Sequence, residues 1–597
     1  MNLLERIRSD FVYTAGLLAI LRRISDISTD SDNLVPDDFE RVADAHGDNI
    51  AIIFEGADLT YRTLEERANK FANWAISQGL RQGDCAALFM ENCADYIAFW
   101  LGMTKIGVRT ALINNQLKGH SLAHCIDIAE AKLLVMNSNQ ISLYETATDD
   151  LKSTPEVWVL GEANEFYNDL DGALEPVSAL RPDKSRRKGV SGRDVALYIY
   201  TSGTTGLPKA ARMTHARCQS MMRSLAVPTK MGPSDRVFLT LPLYHATGGL
   251  VGVGSALTTG AALILERKFS ASSFWKSATE QGATAFVYIG EMCRYIMNAP
   301  VSEYERRHSI VKCFGNGLRG DVWRAMTDRT GIKRVYEFYG ATEGNVSLIN
   351  LDSKVGAIGR IPPILKKTVT TRFIRVDLND ETPLRGEDGF CMPVEPNEPG
   401  EAIGLISAQV ARTRFEGYRD KEQNKSKILN DVFEAGDTYF RTGDLMRLDE
   451  DGYIYFVDRM GDTFRWKAEN ASTNEVSEVL SQVKGVELAN VYGVAVTGHE
   501  GKAGMAALTV TDDFSLEAVW RAVSAELPEY ARPVFLRIRR AVETTGTFKF
   551  VKTELVAQGY DPAKIDEPLY VADVGTDQYI LLTPQTHSEI ESGARRL

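Results

Sequence analysis

Residues 200–217 read YTSGTTGLPKAARMTHAR. Four hydroxyl residues, two glycines and a lysine fall within ten positions, directly after the apolar run VALYIY and before a helical pattern that starts near Thr214. A strand that empties into such a turn offers backbone N–H and side-chain O–H donors to phosphate oxygens, and Lys209 adds a point charge. The spacing is not that of the loop serving terminal phosphoryl transfer, which needs Gly, four residues, then Gly-Lys-Ser/Thr. Here Pro208 intervenes before Lys209, and Ala210 stands where a magnesium-binding hydroxyl would be. On this stretch alone a plain polar turn stays open, and its neighbours have to decide.

Outward from the loop, short apolar runs alternate with helical patterns from about residue 49 to 300. CAALFM (85–90), AKLLVM (131–136), RVFLTLPLY (236–244), AALILE (261–266), ATAFVYIG (283–290) and RVYEFYG (334–340) each read as a strand ending in a turn. This rhythm implies an α/β chain with layered parallel sheets and helices on their faces, and ligands gather where strand ends meet loops. The basic, Pro/Gly-interrupted segment 176–194 reads as an exposed connection. After about 350 the texture becomes turn-rich with short strands, a β-rich subdomain. From DRMGDTFRWKAEN (458–470) onward a smaller α+β domain begins. The expected division is 1–459 for a large N-terminal domain and 460–597 for a smaller one.

With 597 residues, 44% of them hydrophobic, and a net charge of −12, the chain has material for a large core and lacks the overall basic balance of a nonspecific nucleic-acid binder. Its seven cysteines are dispersed with no CxxC pair, which suits reduced thiols in a cytosolic compartment. His120 and His124 stand four apart but lack the glutamate and third ligand of a zinc helix. No run approaches the roughly 18 apolar residues of a membrane span. FVYTAGLLAIL (11–21), bracketed by Arg6, Arg8, Arg22 and Arg23, leaves two readings: a helix packed on its own domain, or one lying in a membrane interface on the inner face.

Two further stretches accompany the loop. YEFYGATEGN (336–345) sets Tyr339, Gly340, Thr342 and Glu343 in one tight turn. Such a turn offers a ring that stacks on a base and oxygen ligands for a phosphate and its Mg²⁺. RTGDL (441–445) offers Asp444, a carboxylate suited to ribose hydroxyls, followed by Arg459. Three such sites in this order resemble the adenylate-forming superfamily of acyl-CoA synthetases, peptide-synthetase adenylation domains and firefly luciferase. The runs LPLYHATGGLVGVG, FGNGLRGDVW and YIYFVDRMGDTFRWKAENASTNEVSEVL are most similar to the branch called fatty acid transport proteins or very-long-chain acyl-CoA synthetases.

The resemblance implies two half-reactions. A carboxylate attacks the α-phosphate of Mg·ATP, giving acyl-AMP and pyrophosphate; the small domain then swings and the coenzyme A thiol takes the acyl group. It further implies that Thr201, Ser202, Gly203, Thr204, Thr205, Gly206 and Lys209 hold the β- and γ-phosphates. Gly315, Asn316 and Gly317 flank the adenine, on which Tyr339 stacks beside Gly340. Thr342 and Glu343 meet the α-phosphate, with Glu343 as metal ligand, and Asp444 and Arg459 bind ribose. His245, Gly248 and Gly249 belong to the acyl site. The small domain supplies a lysine, usually in a TGK pattern. Here TTGTFKFVK places two residues between Gly546 and Lys549, and Lys549 is the expected catalytic lysine.

Attack of one anion on another is served by positioning and charge stabilisation, so no protein nucleophile is needed. The pivot falls within Met460–Asp462. The expected substrate is a long- or very-long-chain fatty acid. A sterol or bile-acid side chain, an acyl transfer to a carrier protein, and lipid uptake without catalysis are the alternatives. Oligomeric state is not legible.

Overall fold

The computed structural model describes residues 3–597 except 202–206, 367, 379, 408–412, 420–421, 468, 500, 540–551, 574 and 596. The chain forms two compact units. The first comprises Met1–Thr371, Gly404–Asn430 and Gly436–Phe440; the second comprises Arg372–Ile403, Asp431–Ala435 and Arg441–Leu597.

The first unit carries an eight-stranded and a seven-stranded sheet. In the eight-stranded sheet the order is Ser347–Ile349, Arg334–Gly340, Lys312–Asn316, Ala285–Ile289, Arg236–Leu239, Ala262–Leu265, Ile50–Phe54, Ala57–Thr60, with parallel pairing inside and an antiparallel strand at each edge. The seven-stranded sheet runs Asn168–Asp169, Glu156–Leu160, Leu133–Asn137, Cys85–Phe89, Arg109–Leu112, Val195–Thr201, Lys209–Thr214, and only its last pair is antiparallel. The layered α/β class read from the sequence is therefore present.

Side chains alternate across a strand, and the seven-stranded sheet uses both faces. Ala86, Leu88, Leu112, Leu133, Val135, Leu197 and Ile199 join a core shared with the eight-stranded sheet. Cys85, Ala87, Phe89, Ala111, Leu134, Met136, Tyr198 and Tyr200 form a second core on the opposite face with Leu122, Ala123, Cys125 and Ile126 of the helix Gly119–Ala129. The helix Ala94–Lys105 is apolar on every side and almost wholly buried, as a helix enclosed within a core must be.

That helix ends in a charge. Lys105 has no exposed surface, and its ammonium donates to Glu40 and Glu65 at 2.8 Å each. Arg187 adds contacts to Asp37 (2.9 Å) and Glu40 (3.2 Å), and Arg181 donates to Glu65 at 2.8 Å. The segment 176–194 is thus not simply an exposed connection: Arg187 is 5% exposed because buried carboxylates need cationic partners.

In the second unit, one hydrophobic core gathers residues from Phe464 to Leu597. Its five-stranded sheet has the order Val486–Val494, Ala503–Val510, Phe535–Arg539, Leu569–Asp573, Gln578–Leu581. The helices Thr473–Ser481 and Leu516–Glu526 contribute Val476, Leu480, Val519 and Val523 to its core. Short strands after residue 350 are present as expected, among them Thr371–Ile374, Val376–Asp377, Thr382–Pro383 and Tyr453–Arg459.

Removing one member of a buried ion cluster strands the others. Lys105→Met is expected to lower stability by about 3–5 kcal/mol, read as an earlier denaturant midpoint; an unchanged midpoint would show that the carboxylates are satisfied without it.

Candidate active site

Thr201 ends the strand Val195–Thr201, and Lys209 opens its antiparallel partner directly opposite. The two stems of the expected phosphate loop are therefore pinned together. Ser202, Gly203, Thr204, Thr205 and Gly206 lie outside the described residues. The downstream shoulder is held by His124, whose Nε2 sits 3.1 Å from the Pro208 carbonyl oxygen. That contact is the observed use of His124.

The strand Arg334–Gly340 leads into the turn bearing Thr342 and Glu343. One side chain joins this turn to the loop stem. Tyr418 donates its hydroxyl to Glu343 Oε1 at 2.7 Å, and the Lys209 ammonium lies 5.5 Å from the centre of its ring. The backbone of Tyr418 bridges Ala211 of the stem, and Arg419 N–H donates to the Ala210 carbonyl oxygen at 3.0 Å. From the other side, half-buried Arg217 donates to the Ala341 carbonyl oxygen at 2.6 Å, and desolvation holds its guanidinium below the usual arginine range despite the charges of Glu416 and Glu343. Lys209, Arg217 and Glu343 thus converge where a loop that grips phosphate would open. Thr201 Oγ1, Arg217 Nε and Asn345 Oδ1 are buried polar atoms with no hydrogen-bond partner among the described residues. An anion with a divalent cation fits that donor set, with Glu343 as the hard-oxygen ligand.

Gly315 and Asn316 end the strand Lys312–Asn316, between Tyr288–Ile289 on one side and Glu337 on the other. A Cβ on Gly315 would fall 2.0 Å from the Tyr288 carbonyl oxygen, and Gly317 holds φ +80°. Both glycines are demanded by the backbone. Asn316 accepts from Thr247 at 2.9 Å, which connects this strand end to the segment bearing His245, Gly248 and Gly249. A Cβ on Gly248 would meet the Pro242 carbonyl oxygen at 2.4 Å, and one on Gly249 the Leu243 carbonyl oxygen at 2.0 Å. These two glycines permit backbone packing at this place. Tyr339 is half-buried and Gly340 exposed at the end of their strand.

Asp444 and Arg459 face each other across antiparallel strands of the second unit, with Arg459 Nε 3.5 Å from Asp444 Oδ1. Asp444 is nearly buried while the Arg459 side chain is 53% exposed. Lys549 lies outside the described residues. Lys552 is described, and its ammonium reaches Asp462 at 3.2 Å and Thr473 Oγ1 at 3.3 Å. All seven cysteines are buried thiols, and burial pushes the Cys218 thiol up to about 12 and that of Cys313 well above its ordinary value, which leaves neither as a nucleophile at neutral pH.

Sequence reading missed Tyr418, Arg217 and Glu337. Glu337 lies two positions before Tyr339 and is fully enclosed. It accepts from Tyr288 Oη at 2.6 Å and from Leu318 N–H at 3.1 Å, with a further backbone bond from Gly317 N–H. It therefore ties Gly317 to the strand of Tyr339. Burial pushes its carboxyl up to about 8. Its only signal in the sequence was its place two residues before Tyr339, on the same face of a strand inside a covered sheet.

A family model described as AMP-binding enzyme matches residues 39–401. Long-chain fatty acid transport protein 6 of Mus musculus is 40% identical over 91% of this chain and 88% of its own length. Long-chain fatty acid transport protein 2 of Rattus norvegicus is 39% identical over 90% and 87%. Among solved structures, the anthranilate CoA ligase AuaEII in complex with anthranoyl-AMP overlays with a TM-score of 0.74 at 20% identity, over 89% of this chain and 98% of that one. ATP-bound MatB from Rhodopseudomonas palustris gives 0.70 at 22%, over 87% and 98%, and both likenesses speak for the fold. The fold is the one this chain shares with AuaEII and MatB. The chain belongs to the AMP-binding enzyme family, in the branch of the long-chain fatty acid transport proteins.

Because the Glu337 carboxyl is raised in the folded state, its contribution to stability is complete below its unfolded value near 4.5 and is lost as pH rises toward about 8. Glu337→Gln should remove a slope of up to about 1.4 kcal/mol per pH unit across that window, visible as a flatter plot of unfolding midpoint against pH. A plot with the wild-type slope would place the carboxyl in water.

Proposed function

We propose that the chain is an ATP-dependent, AMP-forming acyl-CoA ligase for long- or very-long-chain fatty acids. The observation that carries this reading is the meeting of Lys209 and Glu343 at Tyr418, with Arg217 bonded to the Ala341 carbonyl of the same turn, at the stems of the Thr201–Lys209 loop. Long-chain specificity is supported by the names of the relatives, 40% and 39% identical over nine-tenths of the chain.

In this reading the substrate carboxylate oxygen bonds to the α-phosphorus of ATP and the bond to the bridging oxygen breaks, releasing pyrophosphate. Lys209 and the hydroxyls of 201–205 hold the departing phosphates. Arg217, through the Ala341 carbonyl, fixes the turn that presents Thr342 and Glu343. Mg²⁺ supplies charge neutralisation at the phosphate oxygens when bound by Glu343. Lys549 adds positive charge at the bridging oxygen. In the second step the coenzyme A thiolate bonds to the acyl carbon, and AMP leaves. Tyr339 with Gly315–Gly317 holds adenine, Asp444 and Arg459 hold ribose, and His245, Gly248 and Gly249 border the acyl chain.

The mobile domain of this reading is 460–597, turning on Met460–Asp462. Its support is the separate hydrophobic core that starts at Phe464, just after the short helical turn Met460–Asp462. Carboxylates from short to very long chain, offered with ATP and with or without coenzyme A, test the whole assignment. Pyrophosphate release should rise with chain length, and Lys549→Ala should lose it while still converting supplied acyl-AMP to thioester. Release that prefers short or aromatic acids, or that survives in Lys549→Ala, would overturn the substrate or the lysine respectively.

The N-terminal helix Leu3–Arg23 supports peripheral membrane contact. Tyr13 and Ile20 are buried against the domain, and Asp10 and Arg23 bond to Arg360 and the Thr258 carbonyl. The other face leaves Ile7, Phe11, Val12 and Leu18 between 42% and 75% exposed, with Arg8 and Arg22 beside them. Among the described residues no helix is long and apolar enough to cross a membrane. Phe11→Asp with Leu18→Asp should release the protein from anionic liposomes in co-sedimentation; undiminished pelleting would leave the helix as a purely packed element.

A further inference from the structure

The seven-stranded sheet has a second concentration of positive charge, away from the loop. An open cleft of about 370 Å³ is lined by Arg109, Arg193, Arg212 and Arg419 together with Tyr198, Gly83 and Gly107. Asp194 is the one acidic residue in the lining, and its carboxylate is occupied by the Ser191 amide and hydroxyl. Such a surplus of guanidinium groups is unexpected in a chain of net charge −12. Two of the four are pre-oriented by the fold. Arg109 donates to Tyr198 Oη at 3.2 Å and to the Gly83 carbonyl, and Arg419 stacks 5.7 Å from the centre of the Tyr198 ring while donating to the Ala129 carbonyl at 2.8 Å. Arg193 and Arg419 have outer partners in Asp30 and Glu130, both highly exposed. Arg212, half-buried, has no ion pair among the described residues.

We propose that this cleft is a binding site for a phosphate-bearing ligand, a phosphomonoester or oligophosphate group held by arginine forks. Guanidinium presents several N–H donors in a plane that matches phosphate oxygens, and partly buried arginines already fixed on a tyrosine lose little freedom on binding. The missing side chains of Gly83 and Gly107 keep the cleft open.

The site also has a route to the loop. Arg212 stands opposite Tyr198 in the hairpin, and Lys209 opposite Thr201; three residues apart along each strand, the pairs point to opposite faces. The segment Gly417–Arg419 runs across the hairpin. Arg212 N–H donates to the Gly417 carbonyl at 3.1 Å, Tyr418 reaches Lys209 and Glu343, and Arg419 turns to the cleft. A phosphate clamped by Arg212 and Arg419 fixes the strand whose other face carries Tyr418. Occupation of the cleft therefore alters affinity for ATP, and by linkage ATP alters affinity for the cleft ligand. The coupling alone rests on the reading of the loop as the ATP site; binding in the cleft does not.

The test titrates the full chain with inorganic tripolyphosphate by calorimetry, with and without a saturating non-hydrolysable ATP analogue and Mg²⁺. A parallel arm uses phosphatidylcholine vesicles with or without phosphatidylinositol bisphosphate, which separates a lipid headgroup from a soluble phosphate. With the analogue present, tripolyphosphate should still bind, and Arg212→Gln should weaken it about ten-fold or more. Arg193→Gln, at an exposed rim position, should weaken it less and guards against a folding defect in the first variant. Loss of headgroup-dependent vesicle binding in Arg212→Gln would support the site with lipid as the source. Binding in both arms that is indifferent to both substitutions overturns the proposal. For the coupling, tripolyphosphate should shift analogue affinity about five-fold in wild type and not in Arg212→Gln. An equal weakening in both is competition at the loop and overturns the coupling. An analogue that fails to bind at all counts against the ATP reading, while the vesicle and analogue-free arms still decide the cleft.

Discussion

The hydrogen bond from Tyr418 to Glu343, 2.7 Å long, joins parts of the chain that the sheets hold separately. Glu343 follows a strand of the eight-stranded sheet; Lys209 opens the edge strand of the seven-stranded one. A site that brings an anionic carboxylate to a polyphosphate needs cations and metal ligands from both, at fixed separation. Tyr418 satisfies this with one residue, since its hydroxyl donates to the carboxylate and its ring carries the ammonium. A phenol beside a carboxylate also avoids pairing Lys209 with Glu343 directly, which would neutralise the charges that the proposed reaction assigns to phosphate and Mg²⁺.

Close approach of backbones follows from the same requirement. Gly344 sits where a Cβ would be 2.0 Å from the Phe440 ring, which is itself stacked on Phe415 at 5.1 Å. Gly290 would place a Cβ 1.7 Å from the Gly317 carbonyl oxygen. These glycines allow strand ends and turns to converge without side chains between them. Their service to the site is indirect: they bring Asn316, Tyr339 and Glu343 into one region, and the buried Glu337 then locks two of the strands together.

The parallel sheets were legible because their strands are short apolar runs broken by helical periods, and both faces of a covered sheet demand apolar residues. The placement of Thr201 and Lys209 at strand ends and of Thr342 and Glu343 in one turn was legible because each stretch gathers its residues locally; Asp444 and Arg459 were paired from the resemblance, and their strands do set them opposite each other. Tyr418 was not, because GYRDK carries no local chemical pattern; its role arises from a bridge to Ala211, some two hundred residues away in the chain. Arg187 misled for a related reason. A basic, proline-interrupted segment looks solvated, and only the fold reveals that Glu40 and Asp37 wait beneath it. Glycines 248 and 249 were expected at the acyl site from the resemblance, and the fold shows a backbone reason for them as well, the close approach of the Pro242 and Leu243 carbonyls.

The same contact logic constrains the domain movement of the proposed cycle. Asp458 stands just before the turn Met460–Asp462, yet its carboxylate accepts from residues beyond it: the Thr473 amide at 2.6 Å, Thr473 Oγ1 at 3.0 Å, Ser472 Oγ at 3.3 Å and Asn474 Nδ2 at 3.2 Å. It thereby meets the N-terminus of the helix Thr473–Ser481, where a negative charge is favoured. Burial raises its carboxyl, opposed by Lys552, which itself bonds to Asp462 and Thr473. A rotation about residues 460–462 that carried the helix away would leave this nearly buried carboxylate without its donors, a state that must be re-paired or wetted. The turn can therefore act as a pivot only if Asp458 exchanges partners during the swing. The two conformations of the cycle would then be discrete, separated by the breaking of one compact set of hydrogen bonds.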